Sequence, residues 1–315
     1  MRLPFISAEE VHAALGYARL AEALREGFRE GCTVPLRHVH EVTGMGDRLL
    51  LMPAWRPGKD LGVKLATVFP RNRERGAATV SALYVLLDGA TGHPRALIDG
   101  EALTLRRTAA ASALASTYLS RADSATLLVI GTGALAPHMA RAHCALRPVE
   151  KLLLWGRRPE RAQALAAQLR DEGLPAEAQA DLAQALAQAD IVSCATTATE
   201  PVVRGALVGA GTHVDLVGGF TPQMREGDDD LIARAEIFVD SYAGALKEAG
   251  DLLQPLASGA LVRERVRAEL AELVTGAHPG RKSREEITLF KSVGTALEDL
   301  CAARLVLERA PVQVK

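Results

Sequence analysis

The chain has 315 residues, of which 48% are hydrophobic and 24% charged, with aromatics at only 4%. That is about two ordinary domains of globular composition, which excludes a disordered or fibrous protein. A formal net charge of -1, with acids and bases interspersed, gives no basic footprint for nucleic acid and no polybasic patch for anionic lipid, so the expected partners are a small molecule and a second copy of the chain.

From about 8 to 30, apolar residues recur at helical spacing (Val11, Ala14, Leu15, Leu20, Leu24, Phe28), and Ser7 followed by Glu10 has the form of a capping box. From about 34 to 100 the pattern changes to short runs, RLLLMPAW, LGVKLATVF and VSALYVLLD, separated by turn residues, which predicts a small, largely antiparallel sheet. The Ala- and Ser-rich stretch EALTLRRTAAASALASTYLS, about 101 to 120, predicts a closely packed helix leading into a second domain. From Ala125 apolar runs alternate with helical patterns: TLLVIG, ALAPHMARAHCAL, KLLLWG, PERAQALAAQLRDEG, ADIVSCAT, THVDLVGG and AEIFVD. Buried parallel strands joined by helices predict a doubly wound sheet. GTALEDLCAARLVLERA, about 294 to 310, is an amphipathic helix expected to fold back onto the first domain.

Gly131-Thr132-Gly133-Ala134-Leu135-Ala136 directly follows the apolar run LLVI and directly precedes a helical pattern. Glycine at the first and third positions permits a tight turn and close approach of a pyrophosphate, whose charge meets backbone N–H groups at the helix start. Pro137 falls in the first helical turn, where a missing N–H is tolerated. At the end of the next strand, where NAD enzymes usually place an acid for the ribose 2′-hydroxyl, stand Gly156, Arg157 and Arg158. Two guanidinium forks suit a 2′-phosphate, so NADP(H) is favoured over NAD(H). Thr196, Thr197, Gly218 and Gly219 fall at carboxyl ends of predicted strands, where ligands sit in open α/β sheets. Ser292, Val293 and Gly294 just precede the last helix, with backbone N–H groups expected to face the cofactor.

Cys32, Cys144, Cys194 and Cys301 form no C-x-x-C pair, and the eight histidines lack a convincing ligand set, so neither a metal nor a disulfide framework is expected. His38 and His40 alternate on a predicted strand and are expected to share a face. The start, MRLPFISAEEVHAAL, carries acids where a signal peptide needs an apolar stretch, and no run of about 18 apolar residues occurs; a cytoplasmic protein without a membrane partner is the expectation.

Read together, VPLRH, GVKLATVFP, LRRTAAASALA, GTGALA, VGGFTPQMRE, VDSYAGALKEAGDL and LFKSVGTALEDL resemble, in order and along nearly the whole chain, the ornithine cyclodeaminase/mu-crystallin family. The resemblance implies an α/β fold. A Rossmann domain over 121–294 would join an α+β substrate-binding and dimerisation domain over 1–120, completed by the C-terminal helix at about 295–315. It implies a homodimer and a small amino or imino acid as substrate, with Arg37, Lys64 and Arg107 around its carboxylate. Lys64 is also the candidate proton donor, its pKa lowered by neighbouring arginines. Thr108 and Lys291 join the implied cofactor-binding set, and Phe220, with Met52, Thr67 and Phe69, the residues expected to line the substrate.

One position departs from the cyclodeaminase pattern. Ornithine cyclodeaminases place an aspartate just after the glycine pair, where this chain has Phe220. Phenylalanine cannot accept or polarise a proton, so the multistep conversion of ornithine to proline and ammonia is poorly served. A single hydride transfer at the α-carbon needs no such carboxylate, and the expected activity is that of a cyclic ketimine reductase or an alanine dehydrogenase-like enzyme. Cyclodeaminase activity is the alternative, and an NADPH-dependent small-ligand binding role like that of mu-crystallin a second. Asp228, Asp229 and Asp230 are expected to be a solvated helix start.

Overall fold

The computed structural model describes residues 3–309. Its contacts divide the chain into two compact units, Met1–Thr108 with Thr295–Lys315, and Ala109–Gly294. The division falls inside a helix, after Thr108, rather than at its end near 120.

In the first unit, β1 (Phe5–Ile6), α1 (Ala8–Ala14) and α2 (Tyr17–Glu30) precede four antiparallel strands and an edge strand: β2 (His38–Glu41), β3 (Arg48–Arg56), β4 (Asp60–Val68), β5 (Val80–Asp88) and β6 (Pro94–Asp99). The sheet order is β1-β6-β5-β4-β3-β2, with only β1 parallel to its neighbour. The Ser7–Glu10 capping box is present at α1. The helical pattern over 8–30 forms two helices that part at Leu15-Gly16, where Gly16 adopts extended backbone and serves as N-cap of α2. Strand alternation separates two faces. Met52, Lys64, Tyr84 and Ile98 are register partners in one row and all are buried. A Cβ on Gly62 would lie 2.0 Å from the Tyr84 hydroxyl oxygen, so only glycine lets that ring lie across the strand. The alternate row residues, Pro53, Val63, Val85 and Leu97, are half-buried on the opposite face.

α3 (Gly100–Leu119) passes from the first unit into the second without interruption. Then follow β7 (Thr126–Ile130), α4 (Ala136–Leu146), β8 (Lys151–Trp155), α5 (Pro159–Asp171), β9 (Ala176–Ala178), α6 (Leu182–Gln188), β10 (Ile191–Cys194), β11 (His213–Leu216) and α7 (Asp229–Arg234). β12 (Ala235–Val239), α8 (Tyr242–Glu248), α9 (Gly250–Ser258), β13 (Val266–Glu269), α10 (Leu270–Thr275) and β14 (Ile287–Lys291) complete this unit, and α11 (Ala296–Arg309) returns to the first. The last residue of the helix expected over 294–310 lies outside the described residues.

All eight strands of the second sheet are parallel, in the order β13-β12-β14-β11-β10-β7-β8-β9. Leu127 and Val129 enter one core with Ala140, Leu165 and Leu169, while Leu128 and Ile130 enter another with Val192, Leu216 and Leu252. Both faces are covered, which is why the strands read as continuous apolar runs. The chain leaves β7 toward β8 and β9, then returns to β10 on the other side of β7. This reversal is the topological switch point, where open α/β sheets bind ligands.

Candidate active site

β4 and α3 bring two of the expected cations of the first unit to one buried cluster. Lys64, 3% exposed, lies on β4 and Arg107, 4% exposed, on α3. Between them stands Asp299, in the first turn of α11 and fully buried. The Lys64 ammonium lies 2.8 Å from Asp299 Oδ2 and donates to Oδ1 at 3.0 Å, with Thr104 Oγ1 at 3.4 Å. Arg107 Nε donates to the same Oδ1 at 3.0 Å, and its Nη1 to Glu298 Oε2 at 2.5 Å. Burial brings the Lys64 pKa down to about 8; Asp299 resists that fall, while Arg107 and Arg37 add to it. Burial opposes the charge on Asp299, yet Arg107 and Lys64, with Arg37, hold its carboxyl below the ordinary range. Arg37, just before β2, thus belongs to the same electrostatic set. Three formal cations face two carboxylates, and the excess of one positive charge suits a monocarboxylate ligand.

In the second unit the glycine turn joins β7 to α4. Gly131 has φ +123°, and a Cβ there would lie 2.5 Å from the Ala195 carbonyl oxygen. Nothing lies within 4 Å of the Cβ position of Gly133, so the backbone at that point is open to close approach. Pro137 is in the first turn of α4, as expected. A Cβ on Gly156 would meet Thr132 Cγ2 at 2.7 Å, which packs the end of β8 against the turn. This tight turn, uncrowded at Gly133 and placed at a helix start and a switch point, fits a dinucleotide pyrophosphate. Arg157 and Arg158 are exposed immediately beyond β8, and Arg158 is the N-cap of α5.

The loops after β10 and β11 are tied by one carboxylate, Glu226. Its Oε1 accepts from the Thr196 N–H at 2.7 Å and hydroxyl at 2.8 Å, and its Oε2 from Gly218 N–H at 2.8 Å and Gly219 N–H at 3.3 Å. Asp251 Oδ1 in turn accepts from the backbone of Glu226 and Gly227, at 2.6 and 3.0 Å. Phe220 follows in the same loop, 40% exposed, and Thr197 is exposed.

The profile of the ornithine cyclodeaminase/mu-crystallin family matches residues 4–313. The chain belongs to the ornithine cyclodeaminase/mu-crystallin family. It is 40% identical over 310 residues to the Δ1-pyrroline-2-carboxylate reductase of Paracoccus denitrificans, covering 96% of this chain and 95% of that one. Among solved structures it resembles the Thermococcus litoralis Δ1-pyrroline-2-carboxylate reductase in complex with NADH and L-proline, with TM-score 0.93, 35% identity and 98% and 97% of the two chains covered. It also resembles an archaeal alanine dehydrogenase dimer with bound NAD, with TM-score 0.92, 30% identity and 98% and 96% covered.

The stretch from Lys291 to Gly294 is held by partners within the fold. The Lys291 ammonium is fully buried and 2.9 Å from Asp251 Oδ2, so an internal carboxylate meets its charge. The N–H groups of Val293 and Gly294 donate to Asp240 Oδ2 at 2.7 and 2.6 Å, and the Ser292 N–H donates to the Leu216 carbonyl at 3.2 Å. These N–H groups are bonded within the fold, where the sequence suggested that they would be open to a cofactor.

Sequence reading missed Asp299, Glu298, Glu226 and Asp251. The available signal was an acid pair opening an otherwise apolar helix, and acids inside two of the family stretches. His38 and His40 do share a face of exposed β2, with ring centroids 6.4 Å apart. Asp228 caps α7 and Asp229 and Asp230 are exposed, a solvated helix start. The four cysteines are free, and burial raises each thiol, so none is a thiolate nucleophile near neutrality.

Proposed function

We propose that the protein is an NAD(P)H-dependent reductase of a small cyclic imino acid, with Δ1-pyrroline-2-carboxylate as the first substrate to test. The observation that carries this reading is Lys64, a buried ammonium with its pKa near 8, set beside Arg107 and under the influence of Arg37. Arg37 and Arg107 hold the substrate carboxylate, and Lys64 gives a proton to the imine nitrogen. The reduced nicotinamide, when bound, supplies the hydride to the carbon of the C=N bond, so the imine gains one hydride and one proton and becomes the amine. Thr108, Gly131 to Ala136, Gly156, Thr196, Thr197 and Gly218 form the cofactor set. Exposed Arg157 and Arg158, without an acid at the end of β8, favour NADPH over NADH. Phe220 in the loop after β11 favours reduction over cyclodeamination, because it offers no carboxylate for the water or amine steps. The homodimer is assigned to the half-buried apolar outer face of the first sheet, with a second copy as the occupant.

The test is NADPH and NADH oxidation with Δ1-pyrroline-2-carboxylate and its six-membered homologue, beside an assay for proline and ammonia from ornithine with NAD. Imine reduction without ornithine conversion is expected. Proline and ammonia from ornithine would restore the cyclodeaminase alternative.

A further inference from the structure

Asp299 is 235 residues from Lys64 in sequence, yet its carboxylate is the nearest counter-charge to that lysine, at 2.8 Å. It also takes the Nε–H of Arg107 at 3.0 Å, so one side chain spaces and aligns both cations. Asp299 and Lys64 are 0% and 3% exposed, which leaves water little part in fixing either group. A lysine has three rotatable N–H donors and no preferred direction of its own. Here two of its contacts, Asp299 and Thr104, are made to α11 and α3, and these define where the ammonium points.

We infer that Asp299 is a positioning residue for the proton donor: it holds the Lys64 ammonium in place and keeps it charged against Arg107 and Arg37. The inference rests on the proposed role of Lys64 in imine reduction. The groups facing Lys64 are Asp299 and Glu298 from α11, Arg107 and Thr104 from α3, Arg37 from the segment before β2, and Tyr84 from β5. Tyr84 is buried and stays neutral, because burial and the Asp299 carboxylate push its phenol up. Of the two acids, Asp299 contacts the lysine and Glu298 contacts Arg107. Without Asp299 the two guanidiniums repel the ammonium with no carboxylate in contact with it, since Glu298 is engaged by Arg107, and the lysine gives up its proton at lower pH.

The experiment is the pH profile of kcat/KM for imine reduction from pH 6 to 10, at saturating reduced cofactor, for the full-length wild type, Asp299→Asn, Asp299→Glu and Lys64→Met. The wild type should lose activity as pH rises through about 8. Asp299→Asn should move that limb down by at least about one unit, which is about a tenfold loss above the limb and a much smaller one at pH 6. A uniform loss with an unmoved limb would overturn the inference. Asp299→Glu keeps the charge and displaces it by one methylene, so the limb should stay while kcat falls; wild-type rates at every pH would overturn the inference as well. Circular dichroism monitors folding, and should Asp299→Asn fail to fold, Asp299→Glu carries the test. Lys64→Met separates this inference from the reading beneath it. Reduction surviving in Lys64→Met with the limb in place would remove the lysine's role, whereas its loss together with an unmoved limb in Asp299→Asn would remove only that of Asp299.

Discussion

A lysine in the middle of an apolar strand is stable only where its charge is met, and Lys64 is met by Asp299 while remaining buried beside Arg107. Replacing it by methionine keeps the stem volume and deletes the donor. We expect Lys64→Met to lower imine reduction by about 10²- to 10⁴-fold, the usual range for a positioned acid, with cofactor binding by fluorescence little changed. Arg157 and Arg158 pose a different question, because both are exposed. Removing both guanidiniums should raise the KM for NADPH by about 10- to 100-fold, the worth of charge-assisted contacts at roughly 1.5–3 kcal/mol, and leave NADH nearly unaffected. Equal effects on the two cofactors would argue against 2′-phosphate recognition.

At the scale of elements, the outer rows of the first sheet are built from Leu51, Leu65 and Leu83, and from Pro53, Val63 and Val85. Leu65 is 36% exposed in the single chain, an unusual exposure for so apolar a strand position. Val63→Glu places a charge in the middle of this surface and should convert a dimer to a monomer on size exclusion with light scattering; a mass equal to that of the wild type would assign the dimer elsewhere. Features set by neighbours in sequence were legible. The glycine turn announces itself by LLVI before it and a helix after it, and the parallel sheet by its apolar runs. The role of Asp299 was not, because its partner lies 235 residues away and an acid pair in a first helical turn looks like a surface complement to the helix dipole. The neighbour of Lys291 was hidden for a related reason, since only the fold reveals that Asp251 lies beside it.

At the scale of the molecule, the second unit encloses His143, His213 and Asp215, all fully buried. Burial, with His143, Arg281 and Arg147, holds the His213 pKa well below its ordinary value. The neutral ring is therefore favoured on folding, and this stability is complete above about pH 6.5, the unfolded value, and is lost as pH falls from there toward the folded pKa. The thermal midpoint should decline below about pH 6.5, and His213→Gln should blunt that decline; an identical decline in the variant would assign it to other groups. The return of α11 to the first unit has a consequence for biosynthesis. As the ribosome extends the chain, everything needed for the second unit, Ala109–Gly294, emerges before Asp299 does. Lys64 and Arg107 are made well before Asp299, the carboxylate that lies between them. The second unit can thus fold once Gly294 has cleared the ribosome, while the first has all its strands by Asp99 and still lacks α11, so a chain truncated before Thr295 should carry a folded second unit and a first sheet whose α11 face is uncovered.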